Sequence, residues 1–418
     1  MLDALKNAFK IPDLRSKLLF TAAMLVVYRI GSFVPTPGVD AAGLASQLGQ
    51  GSIFGLLDLF AGGALGRFTI FALGVNPYIT SSIIFQLLQV VIPSLEELAK
   101  EGLEGRKKIA QYTRYGTVVL AIIQAIGTML VVERYGAVTN PGLGSTVLIV
   151  STLTAGTMFL MWLGEMISER GIGNGISLII FFGIVARMPS TIRNIGQSVG
   201  AGGIGPFAVL AFLVIAVLTI AGVVMIQEAQ RRIPVQYAKR VVGRKMYGGQ
   251  STHIPLRVNQ AGVIPVIFAS SVLVFPVTIM QFVPAWSKYI DVFSPSSIWY
   301  NIIYVLLIVF FTYFYTAITF NPMQIADNLK KQSGFVPGLR PGRPTANYLE
   351  RVLTRITLVG AVFLAFIAVL PTLLTSAFGL GAFYFGGTSL LILVGVALDT
   401  MRQIETQLLM RHYEGFIK

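Results

Sequence analysis

Runs of apolar residues, each close to the thickness of a bilayer core, alternate along most of the chain with short polar stretches. A helix that crosses a bilayer needs about 20 mostly apolar residues. Leu18–Pro37, Tyr115–Val132, Thr146–Met166, Gly205–Met225, Val263–Phe282, Ile298–Phe320, Ile356–Leu374 and Thr388–Leu409 meet that requirement. Two more runs are less regular. Asn76–Ile92 carries a polar insert, Thr80-Ser81-Ser82, and Gly175–Pro189 is short and follows Gly171-Ile172-Gly173-Asn174-Gly175. The pattern predicts an all-α polytopic membrane protein of ten spans, five within residues 18–189 and five within 190–409.

One apolar stretch does not qualify. Phe54–Gly74 is broken by Asp58, Gly62-Gly63, Gly66 and Arg67. Each glycine weakens a helix by roughly 1 kcal/mol, and the charges oppose burial in lipid. This reads as a short re-entrant segment. Irregular backbone is tolerated at membrane depth only where protein or a water-filled cavity surrounds it, so a cavity is expected nearby. Residues 1–17 alternate apolar and charged positions (Leu5, Lys6, Phe9, Lys10, Leu14, Arg15) without the apolar core of a secretory signal. Two readings stand: a cytoplasmic amphipathic helix on the membrane surface, or an ordinary solvated first helix.

Basic residues set the orientation. With both ends cytoplasmic, 26 of the 32 Lys and Arg fall on the inside, and only Arg29, Arg67, Arg134, Arg187, Arg193 and Lys288 do not. That bias predicts a multi-pass protein with both termini, including the tail 410–418, in the cytoplasm.

Composition narrows the chemistry. The chain is 54% hydrophobic and 12% charged, with mean hydropathy +0.74 and net charge +14. It has no cysteine, and its two histidines, His253 and His412, are far apart, so neither a disulfide framework nor a metal site is expected. No phosphate loop and no H-E-x-x-H motif is present, and no cofactor is implied. Ionisable residues within spans are scarce. Glu165, Glu169 and Arg170 gather at one helix end, and Asp399 and Arg402 sit in the last span. Neither set forms a row along a span, as an ion pathway would; interfacial ion pairs or helix-end charges are the plainer reading.

Two loops, residues 227–258 and 321–355, stand out. From Ala229 to Ile290 there is no acidic residue, yet Arg231, Arg232, Lys239, Arg240, Arg244, Lys245 and Arg257 are present. A single-sign loop of this kind can bind a phosphate backbone or an acidic partner; the positive-inside bias alone, or contact with anionic lipid, also explains it. Val235, Tyr237, Val241, Val242 and Tyr247, with Gly248-Gly249 as a turn, suggest a hairpin. In the second loop, Phe335-Val336-Pro337-Gly338-Leu339-Arg340-Pro341-Gly342 holds Arg340 on a stiff tip, suited to bidentate contact with carboxylate or phosphate, or simply an ordinary turn with a charged tip.

Several segments, in this order, resemble the SecY family over essentially the whole chain. They are Phe71–Ile79, Glu104-Gly105-Arg106-Lys107-Lys108 with Gln111-Tyr112-Thr113-Arg114, and Glu169–Gly175. Gln230-Arg231-Arg232-Ile233-Pro234, Tyr237-Ala238-Lys239-Arg240, Ala261–Pro265, Val336–Gly342 and Phe385–Ile392 complete the set. The resemblance implies two five-helix halves in inverted pseudo-symmetry, forming an hourglass with an apolar waist. The family's ring positions fall on Ile79, Ile83, Ile176, Ile180, Ile267 and Ile392, all isoleucine. Ile79 and Ile83, like Ile176 and Ile180, are four apart and share a helix face. An apolar constriction dewets and resists ions, while making no fixed polar contact with a passing chain.

The broken segment corresponds to the family's plug, residues 57–71, including Leu57, Asp58, Leu59, Phe60, Gly62, Gly63, Gly66 and Arg67. The resemblance also implies a lateral gate between Asn76–Ile92 and Val263–Phe282, opened by signal sequences or membrane anchors. Thr80, Ser81, Ser82, Gln86, Ser270 and Ser271 are candidates to hold it shut by hydrogen bonds between helices. The implied function is a protein-conducting channel in the bacterial cytoplasmic membrane, not an enzyme. The implied partners are the small subunits SecE and SecG, the SecA motor, the ribosome, nascent polypeptides and membrane lipid. Arg231, Arg232, Lys239, Arg240, Arg244, Lys245 and Arg340 are the implied docking residues for ribosome or motor. A secondary transporter of a small solute also explains ten spans and a broken helix. It predicts polar groups at the midplane, where this chain has isoleucine. A membrane scaffold needs no plug-like segment.

Overall fold

The computed structural model describes residues 9, 11–40, 62–200, 205–237, 240–242, 245–247, 251–282, 292–293, 297–378 and 387–414. Each of the ten expected spans falls on a helix. The helices are α1 (Pro12–Gly31), α2 (Asn76–Val91), α3 (Pro93–Lys100), α4 (Leu103–Arg134), α5 (Leu143–Arg170), α6 (Gly175–Gly200) and α7 (Pro206–Glu228). They continue with α8 (Ile264–Phe282), α9 (Ile298–Thr319), α10 (Pro322–Lys331), α11 (Arg343–Phe378) and α12 (Gly387–Glu414). Six helical stretches among the described residues are long and apolar enough to cross a membrane on those grounds alone, or seven if the bent pair α2–α3 is one span. Helix α8 is apolar over the shorter stretch Ile264–Pro276, and α1 carries Asp13, Arg15, Lys17 and Arg29.

Helix ends follow local chemistry. Pro12 opens α1 at a position where its missing N–H costs nothing, and Asp13 complements the helix dipole in the first turn. The helix then runs unbroken through Lys17 into the first span and stops at Gly31. The expected boundary after residue 17 falls within α1, whose first turns carry Asp13, Arg15 and Lys17. Twenty residues at 1.5 Å each give about 30 Å, one hydrocarbon thickness. Pro93 ends α2, and α3 leaves at 100° to it.

Helices α1, α2, α4, α5 and α6 pack with one another, as do α7, α8, α9, α11 and α12. These halves meet along two seams. On one, α8 lies against α2 and α4; on the other, α12 lies against α6. A single apolar core runs through both halves.

The two basic loops form one structure. Strand β1 (Gln230–Tyr237) pairs antiparallel with β4 (Ser251–Arg257), setting Ile233 opposite Ile254. At the far end β2 (Arg240–Val242) pairs with β3 (Lys245–Tyr247). The hairpin is as expected, but the chain reverses between Val242 and Lys245. Gly248-Gly249 lie outside the described residues. The other edge of β1 takes β5 (Gly334–Phe335) from the second loop, with Tyr237 opposite Gly334. Ile233 and Val235 point inward from β1 and join Leu256, Phe320, Leu329, Val336 and Leu349 in a separate core. Burying a large aliphatic side chain is worth about 1.5–3 kcal/mol, so this core makes the loops a rigid platform.

Candidate functional site

The six isoleucines of the expected ring come from four helices, and four of them meet at one cavity. Ile79 and Ile83 sit on α2, Ile176 and Ile180 on α6, Ile267 on α8 and Ile392 on α12. Five are buried in the central core, Ile180 and Ile392 completely, and Ile176 packs against it. Ile79, Ile176, Ile180 and Ile267 also line a cavity of about 420 Å³. Its other walls mix polar residues, among them Tyr78, Ser82, Gln86, Arg114, Glu165, Glu169 and Asn174, with Ala110, Ile264 and Phe268. The cavity therefore joins a charged region to a patch of isoleucine. Gly164 on α5 admits this geometry, since a Cβ there would lie 2.4 Å from the Ile176 Cδ1 atom.

Arg114 and Glu165 make a two-point contact on the cavity wall. Arg114 donates from Nε to Glu165 Oε1 at 2.9 Å, and its Nη2 lies 2.9 Å from Oε2. The pair ties α4 to α5, which suits the ion-pair reading of the charges at that helix end. Sequence inspection placed Glu165 and Glu169 in a cluster but did not bring Arg114 to them; 51 residues separate the pair.

The plug segment is described from Gly62 onward, and Leu57, Asp58, Leu59 and Phe60 lie outside the described residues. Gly62–Val75 is a succession of turns, buried in protein at Ala64, Leu65, Phe68, Phe71 and Ala72. This is the irregular backbone the broken pattern predicted, and protein surrounds it as burial requires. Two glycine contacts seat it. Gly62, at φ +65°, meets Gly183 on α6, where a Cβ would lie 2.9 Å from the Gly183 Cα. At the other end the Ile70 carbonyl rests on Gly156 of α5, 1.9 Å from where a Cβ would stand. Thr36 N–H donates to the Phe68 carbonyl and Ile70 N–H to the Val34 carbonyl, both at 3.0 Å, fastening the segment to the chain after α1. Arg67 and Arg29 each stand over the Phe33 ring, at 4.6 and 4.7 Å. Gly63 and Gly66 lie within the same turns, Gly63 at φ +87° in open space.

The expected gate residues lie on the α2–α8 side, but their hydrogen bonds take other routes. Thr80 donates to the Asn76 carbonyl, Gln86 to Ser82 Oγ, and Ser270 to the Ile267 carbonyl, each within its own helix. Ser81 donates at 2.8 Å to the Thr113 carbonyl on α4. Among the described residues no bond of these side chains or of Ser271 crosses from α2 to α8. A hydroxyl in an apolar setting finds the carbonyl one turn back before a partner helix. The closed seam rests on packing.

Of the docking candidates, Arg231 and Arg232 are exposed on β1, and Arg240 and Lys245 fall on β2 and β3. Lys239 and Arg244 lie outside the described residues. Arg340 is exposed. Pro337 and Gly338, the latter at φ +81°, make a tight turn closed by Leu339 N–H on the Val336 carbonyl at 3.0 Å. The Arg340 carbonyl accepts from Thr345 Oγ1 at 2.8 Å. The tip is therefore held from both sides. Among the described residues no group of acidic or histidine side chains is arranged to hold a metal ion.

Comparison with known proteins supplies the context. The SecY family model matches residues 69–401. A curated relative from Aquifex aeolicus, the protein translocase subunit SecY, is 48% identical over the full length of both chains. A solved structure of a protein conducting channel matches with TM-score 0.68 at 20% identity, covering 96% of each chain. Sec61 in the canine ribosome-channel complex from the endoplasmic reticulum matches with TM-score 0.64 at 19% identity, also covering 96% of each chain.

Proposed function

This chain belongs to the SecY family of protein translocase subunits, and from that membership we propose how its parts conduct a polypeptide. It is a multi-pass membrane protein and a protein-conducting channel. Nothing in it favours the solute-transporter reading.

The meeting of Ile79, Ile176, Ile180 and Ile267, from three helices, in the wall of one cavity carries the proposal. Ions and water are held back there because a narrow apolar waist gives no substitute for hydration. An extended chain passes because isoleucine side chains rearrange by rotation and form no directed bonds with it. The buried turns after Gly62 are the inner end of a plug that covers the waist at rest. Helices α2 and α8 are the two sides of a lateral gate toward lipid. A seam held by apolar contact and lacking cross-seam hydrogen bonds parts without leaving unpaired polar groups in hydrocarbon.

The joined basic loops are the docking platform for a partner that supplies the driving force. The run Arg231–Lys245 suits phosphate-rich ribosomal RNA, as the ribosome-bound neighbour suggests, and Arg340 suits a motor such as SecA. SecE and SecG complete the complex. Its home is the bacterial cytoplasmic membrane with both termini inside, a reading supported by the Lys and Arg bias. The test is photocrosslinking from Ile267, in membranes, to a stalled secretory chain. An adduct that vanishes when the signal sequence is destroyed is expected. Absence of an adduct, with the stalled chain bound and the protein folded, refutes the assignment of the waist.

A further inference from the structure

The foot of helix α8 is built as a joint. Arg402 on α12 reaches the end of α7, donating from Nη2 to the Gln227 carbonyl at 2.8 Å and to Glu228 Oε1 at 2.7 Å. Its Nη1 lies 3.7 Å from Asp399 Oδ1. Glu228 directly precedes the hairpin, whose ladder is extended by Val258 N–H donating to the Ala229 carbonyl at 2.9 Å. Arg402 thus clamps the root of the docking platform to the helix that carries Ile392.

Between hairpin and α8 the chain turns through Gly262, at φ +62°, a conformation that glycine adopts without strain. Asn259 Nδ2 donates to the Gly262 carbonyl at 2.9 Å and caps this bend. Glycines on two neighbours let the linker in: a Cβ at Gly360 would lie 2.6 Å from the Val258 carbonyl, and one at Gly395 would lie 2.2 Å from Val263 Cγ1. Gly395 is one turn from Ile392, and Ile264 one turn from Ile267. The joint and the isoleucine waist therefore lie a helical turn apart.

Beside the bend is a polar cavity of about 190 Å³. Three atoms of its lining residues, Gln227 Nε2, Asn259 Oδ1 and Gln260 Oε1, are buried without a protein hydrogen-bond partner. The side chains of Gln227 and Asn259 are 4% and 5% exposed. Such atoms require water, and the cavity has room for several molecules. A hydrated joint is one whose bonds can be exchanged for bonds to water as it turns.

We infer that Arg402 and Gly262 form a hydrated pivot at the root of α8, the first as clamp and the second as bend, through which displacement of the docking platform swings α8 away from α2. The inference rests on the docking and gate roles proposed above. Load applied to the β1–β4 hairpin reaches α8 along the chain through residues 258–263, and the Arg402 clamp sets where that load is resisted. Releasing the clamp frees α8, and stiffening the bend uncouples it.

The absence of cysteine from the chain gives a clean test. Val90→Cys on α2 and Phe275→Cys on α8, at positions 60% and 38% exposed, are spin-labelled in the full complex in lipid nanodiscs. Their separation is measured with and without non-translating ribosomes. In the wild-type background docking lengthens it by roughly 2–5 Å, the scale of helix shifts. Arg402→Gln is expected to show the longer distance without ribosomes. Gly262→Ala, whose Cβ has room because its nearest neighbour is 3.6 Å away, acts through the backbone alone, where alanine is restricted at φ +62°; it is expected to bind ribosomes normally and lose at least half of the lengthening. Variants that both match the wild type overturn the pivot. If Arg402→Gln does not fold, Gly262→Ala decides alone. A wild type that binds ribosomes without any change in distance removes the docking-to-gate reading and the pivot with it.

Discussion

Two adjacent glycines separate the seating of the plug from its mere flexibility. Gly62 and Gly63 both have positive φ, at +65° and +87°. Alanine at either position incurs about 1–2 kcal/mol for a left-handed backbone. At Gly63 the new Cβ enters open space, so nothing further is lost. At Gly62 it would stand 2.7 Å from the Tyr28 hydroxyl and 2.9 Å from the Gly183 Cα. The hydroxyl is the end of a side chain and can rotate, but the helix backbone at Gly183 cannot retreat cheaply, and overpacking of this kind costs about 1–3 kcal/mol. A plug that leaves its seat escapes both penalties. With tenfold per 1.4 kcal/mol, Gly63→Ala is expected to raise the unseated population roughly tenfold, and Gly62→Ala about 100- to 1000-fold. Single-channel conductance of the resting complex in planar bilayers reads this as the fraction of time open to ions. Equal open fractions for the two variants would refute the reasoning, because they share the backbone penalty and differ only in the contacts with Tyr28 and Gly183.

Replacing Ile83 and Ile267 together with glycine is expected to give a steady ion leak, since the waist then wets; resting conductance at the wild-type level counts against the ring. Arg340→Glu should abolish most motor-driven transport while thermal unfolding stays within about 0.5 kcal/mol of wild type, as for an exposed surface change; transport into inverted vesicles checks it. Gly156→Val places side-chain atoms where the Ile70 carbonyl stands, so the plug's outer anchor is lost and the purified complex is expected to unfold at lower temperature, measured by a thermal-shift assay in detergent.

Much of the transmembrane layout was legible in the chain. All ten expected spans coincide with helices, because a run of about 20 apolar residues is a local signal that the bilayer reads directly. The broken stretch before Gly74 was recognisable for the same reason, as was a hairpin in the first basic loop. The boundaries were less so. The helix start at Pro12 lay hidden under charges that read as a surface segment, and the gate hydroxyls of Thr80 and Ser270 found carbonyls in their own helices. The side-chain list alone does not say which carbonyl a hydroxyl reaches.

What the sequence by itself determined are the properties that arise within one segment: span lengths, the cytoplasmic excess of positive charge, the glycines that break the plug, and, by resemblance, the isoleucines at six positions. What only the tertiary structure decided are relations between distant segments. Tyr237 pairs with Gly334, so two loops become one platform. Arg114 meets Glu165, and Arg402 meets Glu228 across 174 residues. Such pairs have no periodicity to betray them. They arise because apolar faces pack first over a large area, and the polar groups carried along must then find partners among whatever the packing has brought within reach.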